Sequence, residues 1–307
     1  MGERWVKLLR WALGLVVLAF VARAIARNWQ DLEAHPIAWT FRPLPALGSV
    51  LLVWLMYAIL IEAWRRMLGG WGQALGRREA TRIWLVSSLG KYVPGKVWAI
   101  AGMAVMAREA GVAAWAATAS AVILQVLALG SGAAVAGLLG GRALETTRPD
   151  LLPWFWVGGV LALGGASLLL VPGMVRWLLG LVKLAGPESA TPGLEPLVLG
   201  LLANVLAWLG YGMALWLLGL AVLPEPTLGT PLAIAAFAAS YVAGFVVLIA
   251  PGGLVVREGL LIVLLQGSVG LGAATALALA SRVLLTITEV GAALPFLLLR
   301  RGNPRVA

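Results

Sequence analysis

Apolar residues run through this chain in blocks of roughly twenty or more, and short polar or charged connections close each block. The blocks are continuous, without the in–out alternation of a membrane β-barrel strand. A helix needs ~20 mostly apolar residues to cross a bilayer. The pattern therefore predicts an all-α, polytopic membrane helix bundle in a single domain over residues 1–307. Six full spans are expected, at about 5–26, 44–63, 113–139, 151–171, 197–222 and 271–299. A shorter apolar stretch, 174–184, carries Arg176 and Lys183 seven residues apart and so on one face. With Trp177 it reads as an amphipathic helix lying in the interface, or as a plain connecting helix.

Two further apolar regions do not fit a plain span. Region 81–107 is interrupted by Pro94-Gly95, and region 231–266 by Pro251-Gly252-Gly253. Proline removes a helix hydrogen bond and glycine loosens the backbone. In lipid, a broken backbone survives only where protein or a water-filled cavity satisfies its polar groups. Neither half of either region is long enough to cross alone, so each is expected to be a re-entrant helical hairpin.

Charge sets the orientation. With the N-terminus in the cytoplasm, thirteen Lys and Arg fall in cytoplasmic segments, among them Arg65, Arg66, Arg77, Arg78 and Arg82, against five on the other side. The positive-inside bias then predicts that both termini are cytoplasmic. Two spans precede the first hairpin and five precede the second, so they would enter from opposite faces, as an inverted repeat requires. Arg4, Lys7 and Arg10 before an apolar run, with Ala22-Arg23-Ala24 after it, also resemble a cleaved signal. A retained first helix is preferred, because Arg23 and Arg27 can snorkel from its far end.

Composition narrows the function. Of 307 residues, 61% are hydrophobic and 12% charged, which no soluble surface accommodates. The net charge of +10 reads as topology and attraction to anionic lipid, not as a nucleic-acid footprint. Cysteine is absent and His35 is the one histidine, so thiol chemistry and multi-histidine metal sites are excluded. No hydrolase elbow, nucleotide-binding loop or zinc motif occurs. Neither an enzyme nor a cofactor is expected, and direct ATP coupling by this chain is not.

The candidate chemistry gathers at the breaks. A charge at a helix centre in the bilayer costs about 2.5–3.5 kcal/mol on insertion scales, so intramembrane charges are functional candidates. Lys91, Tyr92 and Lys96 bracket Pro94-Gly95, and Arg257 and Glu258 follow Pro251-Gly252-Gly253. In the last span Arg282 and Glu289 lie two helical turns apart on one face, with Thr275, Ala278, Thr286 and Ala293. The expected cross-pairs are Arg257 with Glu289 and Glu258 with Arg282, in a structural role or in contact with substrate. Helices restarting after each break would offer free N–H groups to an anion. Lys91, Lys96 and Arg257 would add charge-assisted bonds, which favours a phosphate-bearing amphiphile as partner. Gln125 and Asn204 are expected to join helices by hydrogen bonds. Arg108 and Glu109 are expected to be an interfacial charge pair.

The stretch Ser87-Ser88-Leu89-Gly90-Lys91-Tyr92-Val93-Pro94-Gly95-Lys96-Val97-Trp98, followed by Ala107-Arg108-Glu109-Ala110-Gly111-Val112, resembles the transmembrane domain of lysylphosphatidylglycerol synthetases and its stand-alone flippase-like relatives. Pro251-Gly252-Gly253-Leu254-Val255-Val256-Arg257-Glu258-Gly259 and Ala280-Ser281-Arg282-Val283-Leu284 are similar to that family's later motifs. The resemblance implies movement of a lipid between leaflets of the cytoplasmic membrane. The chain given stops at Ala307, without the family's soluble aminoacyl-transfer domain, so aminoacyl transfer is not expected. Lysylphosphatidylglycerol would be cargo only beside a separate lipid-synthesising enzyme. Gln125 stands where some relatives have an acidic residue, which argues against a proton relay there. The expected function is a lipid translocase binding through Lys91, Tyr92, Pro94, Gly95, Lys96, Pro251, Gly252, Gly253, Arg257, Glu258, Arg282 and Glu289. The alternative is a membrane scaffold for lipid-linked glycan or phospholipid enzymes that binds lipid without moving it.

Overall fold

Ten helices carry the described part of the chain, and no strand occurs there. The computed structural model describes residues 40–92, 98–144, 152–181, 191–225, 227–246 and 256–298. The expected first span and both Pro-Gly breaks, with Pro94, Gly95, Lys96, Pro251, Gly252 and Gly253, lie outside these residues. The helices are α1 (Pro43–Gly69), α2 (Arg77–Ser88), α3 (Trp98–Glu109), α4 (Ala114–Leu144), α5 (Leu152–Leu168), α6 (Pro172–Leu181), α7 (Leu194–Val222), α8 (Thr230–Val246), α9 (Val256–Val269) and α10 (Leu271–Leu298). A 3₁₀ turn, Leu89–Tyr92, extends α2.

Four helices, α1, α4, α7 and α10, are long and apolar enough to cross a membrane. A fifth crossing is available if α5 and α6, bent by 93°, count as one span. The chain is a multi-pass membrane protein. Its lipid-facing surface is apolar, with Leu44, Leu55, Trp154, Leu161, Ile287 and Leu298 exposed. Arg176 and Trp177 of α6 are exposed, and Lys183 lies outside the described residues.

The α1 helix runs past the expected end at residue 63. Arg65 and Arg66 belong to its last turns, where both pair with Glu62 one turn earlier, at 2.7 and 3.1 Å. Such i,i+3 and i,i+4 pairs let a helix continue through charge. α1 and α7 pack antiparallel. At one end Arg42, preceding α1, donates to Leu220 O (2.7 Å) and Pro224 O (3.0 Å) at the end of α7, where carbonyls lack helical partners. At the other end Arg66 approaches Glu195 at the start of α7, 3.9 Å away. Within the pair Ser49 donates to Ala214 O (2.8 Å).

This pair fixes the sense of the two hairpins. The first is α2–α3, and Gln73 Oε1, just before α2, accepts from Ala113 N, just after α3, at 2.8 Å. Both ends of the hairpin therefore sit beside the C-terminus of α1. The second is α8–α9, and Thr227 Oγ1 donates to Ser268 O at 2.9 Å. Both of its ends sit beside the C-terminus of α7. The two hairpins thus open at opposite ends of the bundle. Gly111 (φ +84°) and Gly270 (φ +82°) make the left-handed turns that send each hairpin into its following long helix.

The halves also pack alike. α2 packs on α3 and α3 on α4, as α8 packs on α9 and α9 on α10; α4 meets α7 and α8, as α10 meets α1 and α2. Exchanging α1–α4 with α7–α10 maps this pattern onto itself. The sequence follows at a constant offset of 157 residues (94 to 251, 118 to 275). Pro94-Gly95 matches Pro251-Gly252, Gly102 matches Gly259, and Ala116-Ala117-Thr118-Ala119 matches Ala273-Ala274-Thr275-Ala276. Each half gathers its own apolar cluster, one around Trp64, Ile83 and Ile123, the other around Leu215, Phe237 and Leu277.

Candidate functional site

A cavity of about 310 Å³ lies where the two halves meet. It is lined by the arms of both hairpins and by α1, α4, α7 and α10. Equivalent positions face it from both sides: Trp84 and Tyr241, Ser87 and Gly244, Ser88 and Phe245, Ile100 and Arg257, Gln125 and Arg282, Ala128 and Leu285, Leu129 and Thr286. The cavity therefore sits on the axis that relates the halves.

One wall is charged. Lys91, at the end of the 3₁₀ turn, meets Glu289 Oε1 with its Nζ at 2.7 Å. The Tyr92 hydroxyl donates to the other carboxylate oxygen of Glu289, also at 2.7 Å. Arg282 donates to Glu258 Oε1 at 3.4 Å. Arg257 donates to Ser281 Oγ at 3.0 Å, and its guanidinium lies 5.3 and 5.6 Å from the ring centres of Phe237 and Tyr241. These are cation–π distances. Arg257, Glu258, Arg282, Glu289 and Tyr92 are all buried, whereas the Lys91 side chain keeps 35% of its surface open. On α10 the two charges straddle the middle: Arg282 lies ~4 Å from the helix midpoint and Glu289 ~7 Å beyond it, at ~1.5 Å rise per residue.

Of the expected cross-pairs, Glu258 with Arg282 is present. Arg257 with Glu289 is not, because Lys91 and Tyr92 occupy both oxygens of that carboxylate. The reason is axial level. Ser281 and Arg282 stand side by side on α10 and receive the two consecutive residues of α9, while Glu289 lies two turns away, where the other hairpin arrives. The stripe Thr275, Ala278, Arg282, Thr286, Glu289 and Ala293 is buried along its length, as expected.

Counting charges within the described cluster, three cations (Lys91, Arg257, Arg282) face two carboxylates (Glu258, Glu289). Lys91 and Arg282 each have a carboxylate in contact. Arg257 is held among the described residues by a neutral hydroxyl and two rings, is only 5% exposed, and its Nε has no hydrogen-bond partner there. Burying such a donor without an acceptor costs on the order of 1–3 kcal/mol. The site accordingly carries one excess positive charge and an unmet donor, the complement of an anion.

The opposite wall is neutral. Gln125 lines the cavity from α4 and Asn204 from α7. Asn204 donates to Gly200 O of its own helix at 2.8 Å, so in place of the expected bond across helices it turns inward. Indoles supply three of the direct bonds between helices: Trp64 to Ser120 Oγ, Trp208 to Ala128 O and Trp54 to Thr288 O. Tryptophan can supply them because it combines a large apolar body with one donor. Arg108 and Glu109 lie exposed at the end of α3, away from the cavity.

Several lining residues were not anticipated: Tyr57, Tyr211, Tyr241, Phe237 and Trp208. A signal did exist, because the chain has four tyrosines and all four line this cavity. No family model matches the chain, and no curated protein sequence matches it.

Proposed function

We propose that the protein is a lipid translocase that carries a phosphate-bearing head group through the central cavity while the lipid chains stay in the bilayer. The observation that carries this reading is Arg257: buried at the cavity wall, without a carboxylate contact among the described residues, and with an unmet donor. Size agrees, since about 310 Å³ is at the lower end of small-molecule sites and suits a head group rather than a whole lipid. The opposed hairpins support an inverted repeat around a midplane site. In this reading the hairpins are re-entrant, six helices span the cytoplasmic membrane, and both termini are cytoplasmic. The chain would then be a relative of the lysylphosphatidylglycerol synthetase membrane domain, in line with the motifs around Pro94 and Pro251. Lys96 and the Pro-Gly breaks would complete the phosphate site.

The test is flux in proteoliposomes. Fluorescent phospholipids and polyprenyl phosphates are reconstituted with wild type or with Lys96→Ala/Arg257→Ala. Wild type should exchange at least one of them between leaflets well above protein-free vesicles, and the double variant should fall at least about tenfold. Wild-type flux equal to that of empty vesicles would overturn translocation and favour a lipid-binding scaffold.

A further inference from the structure

We infer that the cargo head group is a phosphate bearing a neutral polyol, with the phosphate on the Arg257 side and the polyol against α4 and α7. This rests on the translocase reading above and narrows it to a substrate class. The argument starts from the internal repeat. Related halves present equivalent positions to one cavity, yet of the five charges in the described cluster four come from the second half and only Lys91 from the first. Where the second half has Arg282 the first has Gln125, and where the second has Arg257 the first has Ile100. The repeat thus builds a cavity with one ionic end and one neutral end.

The neutral end has the chemistry that recognises hydroxyl groups. Gln125 brings an amide with both donors and an acceptor, and no hydrogen bond ties that amide to any of the described residues. Asn204 spends one donor on its own helix and retains a carbonyl. Tyr57 and Tyr211, edge to face at 6.2 Å, and Trp208 line the cavity as well, and Tyr211 and Trp208 reach on to the rings of Phe237 and Tyr241. Aromatic faces pack the C–H surface of a polyol ring, while amides and phenols bond its hydroxyls.

The charged wall disfavours cationic head groups, because both of its described carboxylates are already engaged. Glu289 already serves Lys91 and Tyr92, and Glu258 serves Arg282. The cluster's excess positive charge repels a further cation. An aminoacylated, ethanolamine or choline head therefore meets a site already filled with like charge.

A polyol phosphate could come from a glycerophospholipid or from a polyprenyl-phosphate sugar, and the test separates them. Purified full-length protein in detergent is titrated with dioctanoyl phosphatidylinositol, geranyl phosphoglucose, dioctanoyl phosphatidylcholine, dioctanoyl phosphatidylethanolamine and octyl phosphate. Binding is read from ligand-dependent thermal stabilisation. At least one of the two polyol phosphates should bind about tenfold tighter than the choline and ethanolamine lipids. The tighter of the two identifies the source. Gln125→Leu and, as a milder change, Tyr211→Phe should reduce that preference to about threefold or less. Arg257→Gln should weaken every phosphate, octyl phosphate included, while keeping the preference. Polyol phosphates binding no tighter than choline and ethanolamine lipids, or a preference untouched by both neutral-wall variants, would overturn the inference. Octyl phosphate binding that ignores Arg257→Gln would instead overturn the phosphate site on which the translocase reading stands.

Discussion

Removing either partner of the Lys91–Glu289 pair should destabilise the protein, but by unequal amounts. At 2.7 Å two unit charges attract by ~6 kcal/mol at an effective dielectric of 20 and by ~1.5 kcal/mol in water. The partners sit differently between those limits: 35% of the Lys91 side chain is open against 5% for Glu289. In Glu289→Gln the stranded charge is Lys91, which can draw on water in the cavity, and the amide can still accept from Tyr92. A loss of about 2 kcal/mol follows. In Lys91→Met the stranded charge is Glu289, buried and left with only the Tyr92 hydroxyl. That approaches the 3–5 kcal/mol typical of a broken buried pair. Removing both charges together in Lys91→Met/Glu289→Gln should restore most of the loss, since neither charge is then stranded.

The assay is thermal unfolding in detergent at fixed scan rate, followed by tryptophan fluorescence. At roughly 2 °C per kcal/mol for a chain of this size, Glu289→Gln should lower Tm by about 4 °C and Lys91→Met by about 6–10 °C. The double variant should sit within about 2 °C of wild type. A coupling below about 0.5 kcal/mol in this cycle, or Glu289→Gln proving the costlier change, would refute the reasoning.

Because the sequence contains no cysteine, single cysteines can report topology without background. Gln73→Cys and Thr227→Cys should react with a membrane-impermeant maleimide from opposite sides of intact vesicles, and labelling from the same side would refute opposed hairpins. A side chain at Gly212 would place its Cβ 2.3 Å from Ile234 Cα, a backbone atom. Gly212→Ala should therefore push α8 from α7 and cost about 1–3 kcal/mol, whereas Gly158→Ala, which meets nothing within 4 Å, should leave Tm within about 1 °C of wild type. Gly90→Ala would set its Cβ 2.7 Å from Ala99 N, forcing apart the arms of the first hairpin. In the flux assay its rate should drop severalfold or more, and wild-type flux would show that the arms tolerate separation.

The long helices were legible in the sequence to within a few residues, because apolar run length alone decides them. Their ends were less so. Arg65 and Arg66 read as a connection, yet both pair with Glu62 in place and α1 carries on to Gly69. The stripe on α10 was readable because Arg282 and Glu289 share a helical face. Which hairpin delivers a partner to which level was not. Spacing along one helix gives the heights of its charges, but the reach of a hairpin depends on where its break falls. Lys91 therefore took the place expected for Arg257. Gln125 looked like a joint between helices because an isolated amide among small residues usually is one. Only its counterpart position in the other half, Arg282, places it in a shared cavity.

The duplicated frame gives α10 a position that no other helix holds. The first hairpin touches it through Lys91 and Tyr92 at Glu289, and the second through Arg257 and Glu258 at Ser281 and Arg282. The counterpart helix α4 presents Gln125 where α10 has Arg282, and Gly132 where it has Glu289, so it offers no charge to either tip. Each hairpin is thus tied to α10 by its own polar contacts, about 10 Å apart along the axis. Drawing the first hairpin away from α10 strands Glu289 but leaves Glu258–Arg282 intact, and drawing the second away does the reverse. In the proposed translocase the cavity would open towards one end of the bundle while the ties at the other stayed closed, with only one pair at a time exposed to the cost of separation. The phosphate proposed to bind at Arg257 would lower that cost on the second hairpin's side alone, by supplying an acceptor for the buried guanidinium Nε. On the proposed function, the charge asymmetry within a near-symmetric frame would therefore couple the presence of an anionic head group to one hairpin in preference to the other.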